Sequence, residues 1–249
     1  MFEAKIERIK NLAEKDNERI LELEKIFDKK TNIYIDYANI KPWSTKLGWH
    51  VDPKRLKQFL LSFSTVNSIK FYHGTIIGEP VSEEFRAEME KLFGKDAKTK
   101  PVKKMRLSID VSSIPIESFI LLKDFIRKPL LAKFDIETIE YLNKKLKELN
   151  ERGIMFIEDL KCNFDVEIGR DMLIDYDQNK VENFILWSGD SDFADPINQL
   201  LNDGKKVAIF GTARRVAREL NELREKGLLI FDIQKIRNFI CWKKEMENL

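Results

Sequence analysis

The sequence predicts an α/β fold, with a mostly parallel sheet and helices on both faces. Three observations lead there. Short apolar runs of strand length recur at 32–35, 69–73, 154–157, 184–187, 206–210 and 228–231. Between most of them lie stretches with helical spacing, and that alternation implies parallel strands joined by crossover helices. The length, 249 residues, suits one large α/β domain or one domain with additions.

The elements follow in order. Residues 2–29 read as one helix, because Phe2, Ile6, Ile9, Leu12, Ile20, Leu23 and Phe27 recur at mostly three- and four-residue steps. Asp16 interrupts that stripe. This N-terminal amphipathic extension, residues 1–30, is expected to lie against the domain or to pair two protomers as a homodimer contact; a partner protein's helix is the alternative. The main domain is expected over 31–243. NIYI (32–35) is its first strand, followed by Asp36. Asp52-Pro53 is an N-cap with Pro at the first helical position. Leu56, Phe59, Leu60 and Phe63 form the buried face of that helix. A second strand spans 69–73. A polar helix over 135–152 ends near Gly153, and 154–157 is the third strand. A helix over 166–176, a strand over 184–187, a helix over 196–201, a strand over 206–210 and a helix over 213–225 follow. The last strand, 228–231, precedes a C-terminal helix. Residues 78–134 break the rhythm and read as an insertion, with a polar helix (83–93), the basic stretch KDAKTKPVKKMR and an apolar piece.

Composition narrows the function class. Lys and Arg number 44 against 42 Asp and Glu, so only local patches can select a charged partner. Cys162 and Cys241 have neither metal spacing nor a disulfide framework, as in a reducing compartment. No apolar run approaches the ~20 residues that span a bilayer, and the charged N-terminus is no signal peptide. The expectation is a cytoplasmic protein with no membrane partner.

The chemistry sits at strand ends. Ligand sites in open α/β sheets lie beyond the carboxyl ends of the strands. Asp36 ends the first strand in NIYIDYANI, and Asp190 and Asp192 follow a buried strand in FILWSGDSDF. Asp165 stands where a loop enters a helix in KCNFDVEIGRD. If the first and fourth strands are neighbours, these acids converge on one edge. Clustered carboxylates raise one another's pKa, and a divalent cation relieves that. Oxygen-only ligation selects Mg²⁺, Mn²⁺ or Ca²⁺ over zinc. Such sites hydrolyse phosphodiesters. Asn39 is placed to orient a water or phosphate, and Ser188 to support the acids from behind. Asp171, six residues after Asp165, lies roughly 240° round an ideal helix and reads as a supporting residue. Each acid has a plainer role too: Asp36 as a turn residue, Asp192 or Asp195 as an N-cap.

IDYAN (35–39), FDVEIGRD (164–171) and SGDSDF (188–193) together resemble the NYN domain family, the LabA-like branch of the PIN-like nucleases. SGDSDF matches a family motif letter for letter. Lys161, Asp165, Val166 and Asp171 match a second motif in type, with Cys162-Asn163-Phe164 where members have Gly-Val. The resemblance covers roughly residues 31–235 without most of the insertion. It implies a PIN-like sheet with the first and fourth strands central, and metal-dependent endonucleolytic RNA hydrolysis with Mg²⁺ or Mn²⁺. It makes Asp36, Asp165 and Asp190 the metal carboxylates, Asp192 a fourth acid, and Asn39 and Asp171 supporting residues. Downstream the sequence departs from the family: no Ser opens the helix after the fifth strand, and Glu222 or Glu225 replaces the usual Asp.

RNA binding needs local positive charge. Two segments offer it: Lys95, Lys98, Lys100, Lys103, Lys104 and Arg106 around TKPVKKMR, and Arg214, Arg215 and Arg218 after Gly211-Thr212. A solvated face is the plain alternative for both. Trp43 and Trp49 could stack on unpaired bases or pack their loop. His50 and His73 have no partner motif. Three other functions compete. A haloacid-dehalogenase-type phosphatase needs an acid at position 38, which is Ala. A non-catalytic RNA- or protein-binding member is the second, and a toxin of a toxin–antitoxin pair the third.

Overall fold

A computed structural model describes residues 1–41, 48–126, 128–178, 181–212 and 216–243. The chain divides into two compact units, Met1–Pro101 with Cys162–Leu249, and Val102–Lys161.

The first unit is built on a six-stranded, all-parallel sheet. Its strands are β1 (Thr31–Asp36), β3 (Val66–Thr75), β4 (Ala97–Pro101), β7 (Asn183–Trp187), β8 (Lys206–Gly211) and β9 (Leu229–Asp232), in the order β4-β3-β1-β7-β8-β9. β2 (Trp49–Val51) pairs separately and antiparallel with β10 (Cys241–Lys243). The first strand and the strand before SGDSDF are neighbours, as expected. Every residue of β1 and β7 is buried.

Alternation along the strands creates two cores. Ile33 and Ile35 of β1, with Ile185 and Trp187 of β7, point to one face. There they meet Leu56, Phe59 and Phe63 and the N-terminal Ile9, Ile20 and Leu23. Tyr34, Phe184 and Leu186 point to the other, onto Ile168 and Met172 of the Asp165–Asp177 helix and Ile197 and Leu200 of the Ala194–Asn202 helix.

Several expectations need correction. The N-terminal stripe is two helices, Glu7–Lys15 and Asn17–Ile26, because the chain leaves helical geometry at Asp16 (φ −135°, ψ 50°). Their apolar faces are spent inside the chain, with Ile9 and Leu23 fully buried. Residues 154–157 do not supply a central strand. The strand there is β6 (Phe156–Lys161), antiparallel to β5 (Lys103–Ser108) in the second unit. The adjacent acids Glu158 and Asp159, between exposed Phe156, Ile157 and Leu160, do not suit a doubly covered sheet. Half of the basic stretch, Ala97–Pro101, takes an edge position instead, where its half-buried lysines cost little. The separate unit therefore begins at Val102 and runs to Lys161, rather than covering 78–134. Of the expected 213–225 helix, residues 213–215 lie outside the described residues, and the remainder is a short Arg218–Glu222 helix and a 3₁₀ turn, Leu223–Lys226.

The second unit contains β5, β6 and the Ile136–Glu151 helix, capped by Asp135 accepting from the Thr138 N–H at 2.7 Å. Its core is small: Ile109, Val111, Leu121, Leu122 and Ile139. Asn150 compensates with three backbone hydrogen bonds, to Val111, Ile109 and Ile154.

Candidate active site

Strand parity explains why the acids meet. Asp36 shares its face with Tyr34, so its carboxylate turns towards the Asp165–Asp177 helix. The pairing of Ile35 with Trp187 sets Ser188 opposite Asp36, and the Ser188 hydroxyl donates to Asp36 Oδ2 at 3.4 Å. Asp36 also caps the short Tyr37–Ile40 helix, accepting the Asn39 N–H at 3.3 Å. Asn39 reaches back: its Oδ1 accepts the Gly189 N–H at 3.2 Å. The Asp190 N–H donates to Ser188 Oγ at 3.3 Å, and Asp190 Oδ1 accepts the Asp192 N–H at 3.3 Å. The SGDSDF loop is thus tied to the end of β1 at two points, while buried Phe193 anchors its far side.

Asp165 begins its helix. Asn163 Oδ1 accepts the Asp165 N–H at 2.7 Å, and buried Phe164 fixes the entry. Asp165 Oδ2 is buried and has no hydrogen-bond donor.

Electrostatics join these residues. Burial pushes Asp36 up to about 6; the Asn39 N–H opposes this, and the charges of Asp165 and Asp190 add to it. Burial likewise raises Asp165 to about 6, opposed by Asn163 and increased by Asp190 and Asp192. Asp36 is 6% exposed. The four acids therefore occupy one edge of the sheet, at the carboxyl ends of β1 and β7.

They do not form a closed cage. Among the described residues, no three His, Cys, Asp or Glu side chains gather tightly enough to hold an ion by themselves. One Asp36 oxygen and one Asp190 oxygen are already engaged by backbone N–H groups. Mg²⁺ does not require a cage, since it keeps several waters and takes one or two carboxylates plus a phosphate. The donor-less Asp165 oxygen and the raised carboxylates fit an ion of that kind.

Asp171 stands apart from the cluster. It accepts from the Tyr72 hydroxyl at 2.9 Å and from the Arg170 guanidinium at 2.9 and 3.2 Å, fastening the helix to β3. Sequence reasoning missed Asp175, which receives Asn32, Tyr34 and Lys70 at 2.7, 2.6 and 2.7 Å. The signal was present: Asp171 and Asp175 sit four apart on the stripe that carries Ile168 and Met172.

Of the basic residues, exposed Arg218 pairs with Glu222 at 2.7 Å, and its neighbour Ala217 donates its N–H to the Gly189 carbonyl at 2.9 Å. Arg214, Arg215 and Trp43 lie outside the described residues. Lys103 and Lys104 are exposed on β5 of the second unit, Lys104 being 3.7 Å from Glu158. The Arg237 guanidinium lies 5.7 Å over the Trp49 ring, which favours packing over base stacking there. His50 stacks on Trp242, and His73 is buried against Phe71 and Phe85.

Residues 109–226 match the NYN domain family. The matched segment is just under half of the chain and contains Asp165, Asp171, Ser188, Asp190 and Asp192. It supports the NYN family, and with it a PIN-like nuclease class, for that segment. No curated protein matches the chain. A solved structure of a protein of unknown function from Vibrio parahaemolyticus is similar, with a TM-score of 0.50 and 15% identity, over 86% of this chain and 96% of that one. At that identity the likeness is one of fold: a mixed α/β protein with a parallel six-stranded sheet flanked by helices, consistent with the PIN-like fold. No helix among the described residues is long and apolar enough to cross a membrane.

Proposed function

We propose that this chain is a metal-dependent endoribonuclease of the LabA-like NYN type, acting in the cytoplasm with Mg²⁺ or Mn²⁺. One observation carries the reading: Asp36 and Asp165, distant in sequence, are both raised at a single sheet edge, chiefly by burial and further by the charge of Asp190. Of Asp36, Asp165, Asp190 and Asp192, one or two would ligate the ion directly and the others would hold its waters. A divalent ion there supplies charge neutralisation at the scissile phosphate and acidifies the attacking water. Asn39 and Ser188 keep Asp36 and the SGDSDF loop in register, and Asp171 holds the helix that carries Asp165. Arg218, with Arg214, Arg215, Lys103 and Lys104, would contact RNA phosphates. No homodimer contact is assigned to the N-terminal helices, since their apolar faces are buried within the chain.

The test is incubation of the purified protein with single-stranded and structured RNAs, in Mg²⁺, Mn²⁺ or chelator. Cleavage is expected with either ion, and Asp190→Asn should lower its rate on the order of 10²–10³-fold. Cleavage that survives both chelator and Asp190→Asn rejects the mechanism. RNA bound without any cleavage favours a non-catalytic binding domain.

A further inference from the structure

Beside the acids lies an open cleft of ≈ 720 Å³, whose lining includes Asp165 and Asp192 together with Lys100, Val166, Gly169 and Leu173. That size falls within the roughly 300–1,000 Å³ of small-ligand sites. Resting on the ribonuclease reading, we propose that this cleft seats the nucleotide next to the scissile phosphate. Lys100 takes a backbone phosphate, and the missing side chain of Gly169 leaves room for a base.

The helix supplies the floor. Val166, Gly169 and Leu173 stand at i, i+3 and i+7 and so share one stripe. Val166 is 80% exposed and Leu173 42%. An apolar stripe left open beside carboxylates suits a flat ring with one apolar face and a charged neighbour. Gly169 is unusual for the middle of a 13-residue helix, where glycine weakens the backbone. The fold does not demand it: a Cβ there would meet nothing within 4 Å. What its absence does is keep the cleft open.

The cation is held for the task. Lys100 is near the end of β4, at the carboxyl edge of the sheet. Its ammonium is 2.6 Å from Glu167 Oε1 and 4.6 Å from the centre of the Phe164 ring. Glu167 occupies one of its three donors, which leaves others for a phosphate. The Cys162 thiol, raised by burial, feels the charges of both Lys100 and Asp36. Lys100 lines the same cleft as Asp165 and Asp192.

The experiment measures the affinity of a labelled, unstructured oligouridine for Asp190→Asn protein in Mg²⁺, across a salt series. Adding Lys100→Gln should weaken binding about tenfold and reduce the log–log salt slope by about 0.7, the mark of one lost phosphate contact. Glu167→Gln should tighten binding by freeing the ammonium. Gly169→Leu should weaken it about tenfold with the salt slope unchanged, while the melting temperature stays level or rises. Parent-like affinity in both Lys100→Gln and Gly169→Leu overturns the subsite, and the nuclease reading survives if the unsubstituted protein still cuts RNA. The predicted affinity changes in a protein that cuts no RNA uphold the subsite and sink the catalysis. No oligouridine binding at all overturns the subsite.

Discussion

One helix, Asp165–Asp177, carries acids of two opposite kinds. At its far end, Asp175 is buried among Asn32, Tyr34 and Lys70. Burial alone would raise it, but hydrogen bonds from Lys70 and Tyr34 and the charge of Lys70 outweigh that and hold it below the usual carboxylate range. At its near end, Asp165 faces Asp190 and Asp192 and, like Asp36, is pushed up to about 6. Both regions bury carboxylate in the same layer. One is supplied with a cation by the chain itself, and the other is not. A fold that satisfies one acid so fully and leaves its neighbours short of positive charge assigns the first to stability and the others to a ligand.

The comparison can be broken or sharpened by experiment. The largest expected effect on stability is at the satisfied end. Lys70→Met removes a buried cation from Asp175, at a cost of about 3 kcal/mol, the low side of the usual range because Asn32 and Tyr34 remain. Urea denaturation reads this, and a loss under 1 kcal/mol would remove Asp175 from its structural role. At the other end the sign reverses. Asp36→Asn should stabilise the metal-free protein at neutral pH by up to about 3 kcal/mol, the equivalent of a two-unit shift. The pH dependence follows the same signs. Acids raised in the folded state favour folding fully below about pH 4, the unfolded value, and that contribution is lost as pH rises through about 6. Stability in chelator should therefore fall across that window and flatten in Asp36→Asn. Asp175, lowered when folded, stabilises above the unfolded value and loses that contribution as pH falls further. The smallest effect is at Gly169, where Ala should add about 1 kcal/mol, since its Cβ meets open space in mid-helix.

Much of this arrangement was legible in the sequence. Buried β-strands announce themselves as apolar runs, and an Asp at the end of such a run has few plain explanations. Asp36 and Asp190 could therefore be placed at strand ends from the sequence, while the adjacency of those strands comes from the pairing of β1 with β7. Other features depend on partners far along the chain. At 154–157 the local sign against a central strand lay just downstream, in Glu158 and Asp159, while the antiparallel partner at Lys103–Ser108 is remote in sequence. The pairing of Trp49–Val51 with Cys241–Lys243 is equally remote. The break at Asp16 was visible as an interruption, but two short helices and one bent helix share the same apolar spacing. Asp175 escaped because Asn32, Tyr34 and Lys70, which bond it, lie on β1 and β3, more than a hundred residues upstream.

The central claim is that the raised carboxylates await a divalent ion, and calorimetric titration with Mn²⁺ tests it most directly. At pH 6 Asp36 and Asp165 are each about half protonated, so binding one ion should release about one proton in total, falling towards none at pH 8. That release should disappear in the Asp36→Asn, Asp165→Asn double variant. No Mn²⁺ binding, or binding of equal affinity and equal proton release in the double variant, would contradict the account.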